Sequence, residues 1–319
     1  MKYSGSFNVQ RGVRQGCPLS PILFNLFIND IFQGCKKYGV KCDESYCCGG
    51  LFADDIVLCA PSKKKLFKLL KKVSKWATRN LMTFGINKCA TMVIRPKNNT
   101  GHHTDPVLKI NNVPIPQTDC YTYLGIPFDN ELSLKPVISL LRQKIRKALF
   151  SNKGSFKNSN IPLFFKKILF NSALIGRISY YAPLLGSNKS RSKSIQNLIN
   201  VVFYWIAGFN NPNSLISLYS ISKEFNIPPL SAKCAIAQVR CYNKWKNSLC
   251  IIGDLVNNIP KMQYYYSWAK ESKSLERNLK MMKKLKTFTG RMICSKTRPK
   301  QKSIKNTILI QLDPIFIGL

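Results

Sequence analysis

Apolar and polar positions follow two rhythms along this chain, and the change between them divides it. Up to about residue 130 the apolar runs are short and bounded by turns. Beyond about residue 133 they recur at helical spacing. Residues 6–15 alternate in part and predict a strand running into a glycine-bounded turn. Gly16-Cys17-Pro18-Leu19-Ser20-Pro21 follows, with Ser20 suited to an N-cap and Pro21 to the first helical position. The helix after it runs to about Phe32. Ile22, Leu23, Phe24, Leu26, Phe27, Ile28, Ile31 and Phe32 make it apolar nearly all round, which predicts burial on most sides.

Gly49-Gly50-Leu51 and Ile56-Val57-Leu58-Cys59 read as two strands, and Phe52-Ala53-Asp54-Asp55 between them as a tight turn with adjacent carboxylates at its tip. Ser62 can cap a helix over 63–79. Leu66, Leu69, Leu70, Val73, Trp76 and Ala77 form its core-facing stripe, and Lys63, Lys64, Lys68, Lys71, Lys72 and Lys75 fill the rest. Those lysines form either a wet basic face or a surface for nucleic acid. Residues 90–94 predict a strand, 97–106 a polar loop, and the stretches near 107–110 and 120–126 two short strands. Helices are predicted over 133–150, 162–186, 191–207, 229–250 and 265–288, with breaks such as Asn210-Asn211-Pro212-Asn213. No internal repeat is visible. Residues 289–306 are basic and polar and read as mobile. The apolar stretch from Ile308 to Leu319 reads as a truncation. The expected fold class is α+β, with an antiparallel sheet and packed helices over 1–130 and an all-α module over 131–319.

Charge sharpens the picture. The 319 residues are 45% hydrophobic, a globular composition, yet carry 50 Lys+Arg against 14 Asp+Glu, a formal net of +36. Residues 1–130 hold 18 basic and 8 acidic side chains; residues 131–319 hold 32 and 6. The acids that could bind metal therefore lie mostly in the first part, and the surplus that attracts polyanions in the second. Nucleic acid fits such a field better than a membrane surface, because no basic amphipathic stretch dominates. The 12 cysteines include no Cys-x-x-Cys pair. Cys234, Cys241 and Cys250 are spaced too loosely for a zinc knuckle, and His102-His103 reads as solvated. Buried reduced thiols are expected. No secretory signal or apolar run of membrane-spanning length appears, which points to an intracellular protein, nucleus and cytoplasm undistinguished.

Four blocks carry a family resemblance. The run from Arg11 through Gly16 to Phe27 closely resembles the fourth core block of reverse transcriptases of non-LTR (LINE-type) retrotransposons. Phe52-Ala53-Asp54-Asp55 is similar to their catalytic acid block, Phe84-Gly85-Ile86-Asn87-Lys88-Cys89 to the block that follows it, and Tyr123-Leu124-Gly125 to the turn before the thumb. The resemblance covers about residues 5–126, and the helical remainder only by position. It implies the C-terminal palm and the thumb of an RNA-directed DNA polymerase working by two-metal catalysis. Mg²⁺ (or Mn²⁺) would be bound by Asp54 with Asp55 in support, and Lys88 would stand near the leaving pyrophosphate. Arg11, Arg14, Gln15 and Gly16 would contact nucleotide or template, and Tyr123, Leu124 and Gly125 would grip the primer end. The implied partners are RNA template, DNA primer and deoxynucleotide triphosphates; protein partners are left open.

One departure matters. The resemblance calls for a further aspartate on an earlier strand facing the Asp54-Asp55 hairpin, and no aspartate precedes Asp30 in this sequence. Asp30 ends a buried-looking helix and cannot stand in. The expectation is little or no polymerase activity from this chain alone. The alternatives are a non-catalytic RNA- or DNA-binding remnant, or a relic that does not fold stably.

Overall fold

The computed structural model describes residues 12–42, 45–95, 107–209, 218–249, 251–259, 267–289 and 315–318. Arg11, residues 6–11 of the strand expected over 6–15, the 97–106 loop with His102-His103, the Asn210–Asn213 break, Cys250, Tyr264–Tyr266 and residues 290–306 of the 289–306 segment lie outside these residues; residues 12–15 form no strand. The chain divides into two compact units: residues 1–124 with 312–319, and residues 125–311.

The first unit opens on α1 (Ser20–Ile28), which begins at its expected cap, one residue early. Leu19 stands at the N-cap, and the Ser20 hydroxyl instead donates to the Arg14 carbonyl at 2.6 Å. The helix stops at Ile28, short of Phe32, and the expected burial fails. Leu19, Ile22, Leu23, Leu26 and Phe27 are exposed, and only Ser20 and Ile28 within the helix are buried. Phe24 packs against the core and Phe27 meets Trp76 edge to face, and the rest of this apolar surface is open among the described residues. Ile31 and Cys35, in the turns that follow, pack into the core instead.

β1 (Val40–Cys42) and β2 (Ser45–Cys47) pair antiparallel. β3 (Gly49–Phe52) and β4 (Asp55–Ala60) form the expected hairpin, with Gly49 opposite Leu58 and Phe52 opposite Asp55. Only glycine fits at position 49: its φ is 156°, and a Cβ there would collide with the Val57 carbonyl oxygen. On β4, Ile56, Leu58 and Ala60 point inward at alternate positions. α2 (Lys63–Arg79) matches expectation at both ends. The Ser62 hydroxyl accepts from the Lys65 amide, and all six residues of the predicted stripe are buried. At about 1.5–3 kcal/mol for each large apolar side chain removed from water, that stripe outweighs any helix propensity. It packs with Leu58 and Ala60 of β4 and with Leu108, Ile110 and Ile115.

β5 (Ala90–Val93), β6 (Lys109–Ile110), β7 (Val113–Pro114) and β8 (Cys120–Tyr123) follow. β6 and β7 form a hairpin whose turn residues, Asn111 and Asn112, have φ 49° and 66°, as a two-residue turn requires. One strand was not anticipated. β10 (Ile315–Gly318) lies between β4 and β5, antiparallel to both, in the sheet order β3-β4-β10-β5. Part of the apolar end is therefore sheet.

The second unit is helical after a short strand, β9 (Ile126–Asp129). Its helices are α3 (Lys135–Ser151), α4 (Lys153–Lys157), α5 (Leu163–Phe170), α6 (Gly176–Ser179), α7 (Ala182–Leu185), α8 (Lys189–Ile206), α9 (Leu218–Glu224), α10 (Leu230–Lys246), α11 (Ile251–Asn257) and α12 (Trp268–Thr289). The single helix expected over 162–186 is broken into α5, a π turn at Asn171–Ile175, α6 and α7. Pro183 enters α7 at its first turn, where a missing amide costs nothing, and Gly186 ends it with φ 64°. α4, α9 and α11 were not foreseen. Leu141, Ile145, Phe156, Phe170, Leu174, Leu185, Ile195 and Val202 form the dry centre. Polar side chains lock the helices together: fully buried Gln238 accepts from the Ser187 amide and donates to Ser272, and the Trp268 indole donates to the Pro183 carbonyl. Among the described residues no helix is long and apolar enough to cross a membrane.

Candidate active site

The β3–β4 hairpin turns through Ala53 and Asp54, with Phe52 and Asp55 as its last facing pair. Ala53 holds a left-handed φ of 51°, which disfavours a residue with a Cβ. Asp54 and Asp55 are both exposed. Neither side chain accepts a hydrogen bond or forms an ion pair among the described residues. Strand alternation turns Asp55 to the face opposite Ile56 and Leu58, the face shared with Val57 and Cys59.

That face looks toward β8. Burial pushes the Tyr123 phenol up from its ordinary range, and the Asp55 carboxylate pushes it further. The Tyr121 phenol is raised in the same way, by burial first and then by Cys89 and Asp55. Tyr121 also donates to the Lys88 carbonyl at 3.0 Å. Asp55, Tyr121, Tyr123 and the Lys88 backbone thus form one neighbourhood. Lys88 ends a 3₁₀ turn (Ile86–Lys88), and its side chain is exposed. Tyr121 was missed at the sequence level; its spacing of two from Tyr123 on a strand was the available signal.

Arg14, Gln15 and Gly16 form an exposed turn ahead of α1, tightened by the Cys17 amide donating to the Arg14 carbonyl. Gly16 has φ 79°, and a Cβ there would meet no neighbour, so the backbone conformation explains the glycine. No hydrogen bond among the described residues ties this turn to Asp54 or Asp55. Leu124 and Gly125 reverse the chain with φ 49° and 75°. Within the second unit the Gly125 carbonyl accepts from Tyr181, which in turn accepts from Lys144 at 2.8 Å. Two cavities of ≈600 and ≈180 Å³ lie in the second unit, the first along Lys189, Lys193, Gln196 and Phe203, the second beside Phe164 and Phe225. Neither contains a predicted site residue.

The carboxylates offer hard oxygen donors of the kind Mg²⁺ and Mn²⁺ prefer. Their number falls short. Among the described residues no group of three or more His, Cys, Asp or Glu side chains could hold a metal ion. Asp30 is engaged elsewhere, accepting from the Trp76 indole at 2.8 Å. The described residues therefore do not by themselves complete a two-metal site. Nor do the described residues assemble a zinc centre, and none of the ten described cysteines forms a disulfide.

Residues 2–128 match the family model described as reverse transcriptase (RNA-dependent DNA polymerase). The segment is similar to the reverse transcriptases of non-LTR retrotransposons. The chain is 34% identical over 131 residues to the retrovirus-related Pol polyprotein from type-2 retrotransposable element R2DM of Drosophila melanogaster, covering 39% of this chain and 12% of that protein. It is 26% identical over 215 residues to the probable RNA-directed DNA polymerase from transposon X-element of the same organism, covering 61% and 22%. It is also 28% identical over 137 residues to the Pol polyprotein from type-1 retrotransposable element R2 of Popillia japonica, covering 41% and 19%. The chain thus spans less than a quarter of the length of these curated relatives. No solved structure matches it. The reverse-transcriptase match spans the hairpin, the Arg14–Gly16 turn and β8.

Proposed function

We propose that this chain carries part of the palm of an RNA-directed DNA polymerase, followed by a basic helical thumb over 131–319. The parent reaction is attack of a primer 3′-hydroxyl on the α-phosphate of a deoxynucleotide, directed by an RNA template. Asp54 and Asp55 are the metal-binding acids, and Mg²⁺ or Mn²⁺ is the cofactor of the complete site. Lys88 offsets charge at the leaving pyrophosphate. Arg11 and Arg14 hold phosphates, Gln15 and Gly16 border the incoming nucleotide, and Tyr123, Leu124 and Gly125 hold the primer end. The observation that supports this most is the Asp54-Asp55 tip: two neighbouring carboxylates, presented to solvent and without a hydrogen-bonding or ion-pair partner among the described residues. A purely structural turn has no use for that repulsion.

Two carboxylates leave the metal site incomplete, so this polypeptide by itself is inactive in synthesis. The surplus of positive charge and the engagement of Asp30 by Trp76 favour a second reading, in which the fragment retains RNA or DNA binding without catalysis. Purified protein given Mg²⁺, primed RNA template and deoxynucleotides separates the two levels of the reading. The expected result is salt-sensitive RNA binding, a cooperative thermal melt and no extension. Robust extension overturns the claim of an incomplete site. Weak Mn²⁺ binding that survives Asp54→Asn and Asp55→Asn overturns the assignment of the acids. Lack of a cooperative melt supports the relic.

A further inference from the structure

The smaller cavity of the second unit, ≈180 Å³, lies where α5 meets the ends of α8 and α9. Phe164 and Lys167 stand one turn apart on α5 and so share a face. α9 ends at Glu224, and Asn226 just beyond it takes a left-handed φ of 49°, a conformation common past helix ends. The Ile227 amide then donates back to the Ser222 carbonyl at 3.0 Å. That reversal brings Glu224, Phe225 and buried Ile227 to the cavity, with Ile206 of α8 beside them. Phe225 is braced edge to face on Phe203 at 6.0 Å, whereas the Phe164 ring lies largely in water.

The charged groups around this cavity are not matched to one another. Lys167 and, on α10, Lys233 are both half-buried and face each other. Burial lowers the Lys233 ammonium from its ordinary range, and the Lys167 charge lowers it further. Among the described residues neither ammonium has an ion-pair partner, and neither has Glu224. Two cations held together without an acid are relieved by an anion that bridges them.

We propose that this cavity binds one unpaired cytidine nucleotide of a single-stranded nucleic acid, its base entering beside Phe164 and Phe225, its phosphate held by Lys167 and Lys233, and its amino group donating to Glu224. Size and charge select that occupant. An apolar space of about 150 Å³ can hold one benzene-sized ring. The ≈180 Å³ here therefore suits the single ring of a pyrimidine better than the fused rings of a purine. Of the pyrimidines, cytosine carries an amino donor for a carboxylate, whereas uracil presents an oxygen that Glu224 repels. The open Phe164 ring supplies a stacking face. A strand is favoured over a free nucleotide because the formal net of +36 attracts phosphates well beyond the cavity. Such capture rests on the nucleic-acid binding proposed above and needs no catalytic step.

The test titrates the full chain against fluorescein-labelled RNA octamers, one all cytidine and one all uridine, at neutral pH. The cytidine octamer is expected to bind at least about fivefold more tightly. Glu224→Gln removes an acid and so strengthens both complexes, but its amide serves either base, and the ratio should fall to about one. Replacing Lys167 and Lys233 together by alanine should flatten the log–log salt dependence by about 0.7, the share of one phosphate. Glu224 is exposed, so its variant tests the choice of base even where the double lysine variant fails to fold. Equal binding of the two octamers, a ratio unchanged by Glu224→Gln, or an unchanged slope in a folded lysine variant overturns the cytidine site and leaves nucleic-acid binding standing. No binding of either octamer at low salt overturns both.

Discussion

The Trp76 indole donates to Asp30 Oδ1 at 2.8 Å, tying α2 to the turn after α1 across 46 positions of sequence. That bond assigns Asp30 to structure. It satisfies a polar group on a nearly buried ring. Asp30→Ala is expected to lower stability by about 1–3 kcal/mol, because the indole N–H loses its acceptor. Asp30→Asn keeps an oxygen there and should lose less. Chemical denaturation measures both, and Mn²⁺ titration of Asp30→Ala should match the parent. Weaker Mn²⁺ binding in that variant would return Asp30 to the metal site.

Ala53 holds the hairpin turn in an unfavourable backbone conformation. A left-handed φ costs an alanine about 1–2 kcal/mol, and glycine escapes that penalty while giving back about 0.4–1 kcal/mol through its freer unfolded chain. Ala53→Gly is therefore neutral or mildly stabilising, and Ala53→Val, with a branched Cβ, is destabilising. Thermal melts should order the three as Gly at or above Ala and Ala above Val. A valine variant as stable as the parent would mean that the turn relaxes to another conformation.

Local, strongly patterned elements were legible in the sequence. α2 appears at its expected bounds because a cap, a helical stripe and a basic face all agree at Ser62, Leu66 and Lys64. The β3–β4 hairpin was legible because short strands flank a tight turn. What escaped depends on distant partners. Hydrophobicity shows what α1 could bury but not whether anything covers it. β10 pairs with strands more than two hundred positions earlier, and no local signal encodes that pairing. The 162–186 helix breaks where Pro183 and Tyr181 serve a tertiary arrangement. Among the site residues, Asp54 and Asp55 were visible as a pair, whereas Tyr121 reaches Asp55 only through folding.

Lys64, Lys68, Lys71 and Lys75 line one exposed face of α2 at helical spacing. If that face follows a phosphate backbone, replacing all four by alanine should flatten the salt dependence of single-stranded RNA binding by about 3 in log–log slope, or about 0.7 for each phosphate no longer neutralised. Binding isotherms at several salt concentrations give the slope directly. An unchanged slope assigns the stripe to solvation alone. Lys72 is committed elsewhere, since its ammonium donates to the Gly34 carbonyl.

Alkali should unfold this protein through its thiols. Burial pushes Cys234 up to about 12 and Cys48 up to about 11, with Cys35 and Cys47 adding to the effect at Cys48. Each thiol is held neutral in the fold more firmly than in the unfolded chain, whose ordinary value is 9.0. Stability is therefore complete below that value and falls as pH rises from it toward 11 and 12, because the unfolded state sheds protons first. Cys234→Ala should blunt the loss in melts taken between those limits. Iodoacetamide at mild pH should modify exposed Cys120 and spare Cys234 until the chain unfolds.

The phenylalanines of α5 separate packing from binding on a single helix. Phe170 is fully buried and stacked on Phe203 at 5.5 Å. Phe164 and Phe165 are exposed and meet edge to face at 5.7 Å, with Lys167 one turn away. Phe170→Ala should cost about 3–5 kcal/mol of stability through the cavity it leaves. Phe164→Ala should leave the melt nearly unchanged, since its ring already lies in water. An exposed ring beside cations is nevertheless suited to stacking on an unpaired base, worth about 1–3 kcal/mol per base. Phe164→Ala is therefore expected to weaken single-stranded RNA binding by about tenfold or more with little change in salt slope, because stacking releases no counterions. Unaltered affinity together with an unaltered melt would remove the α5 face from the nucleic-acid surface.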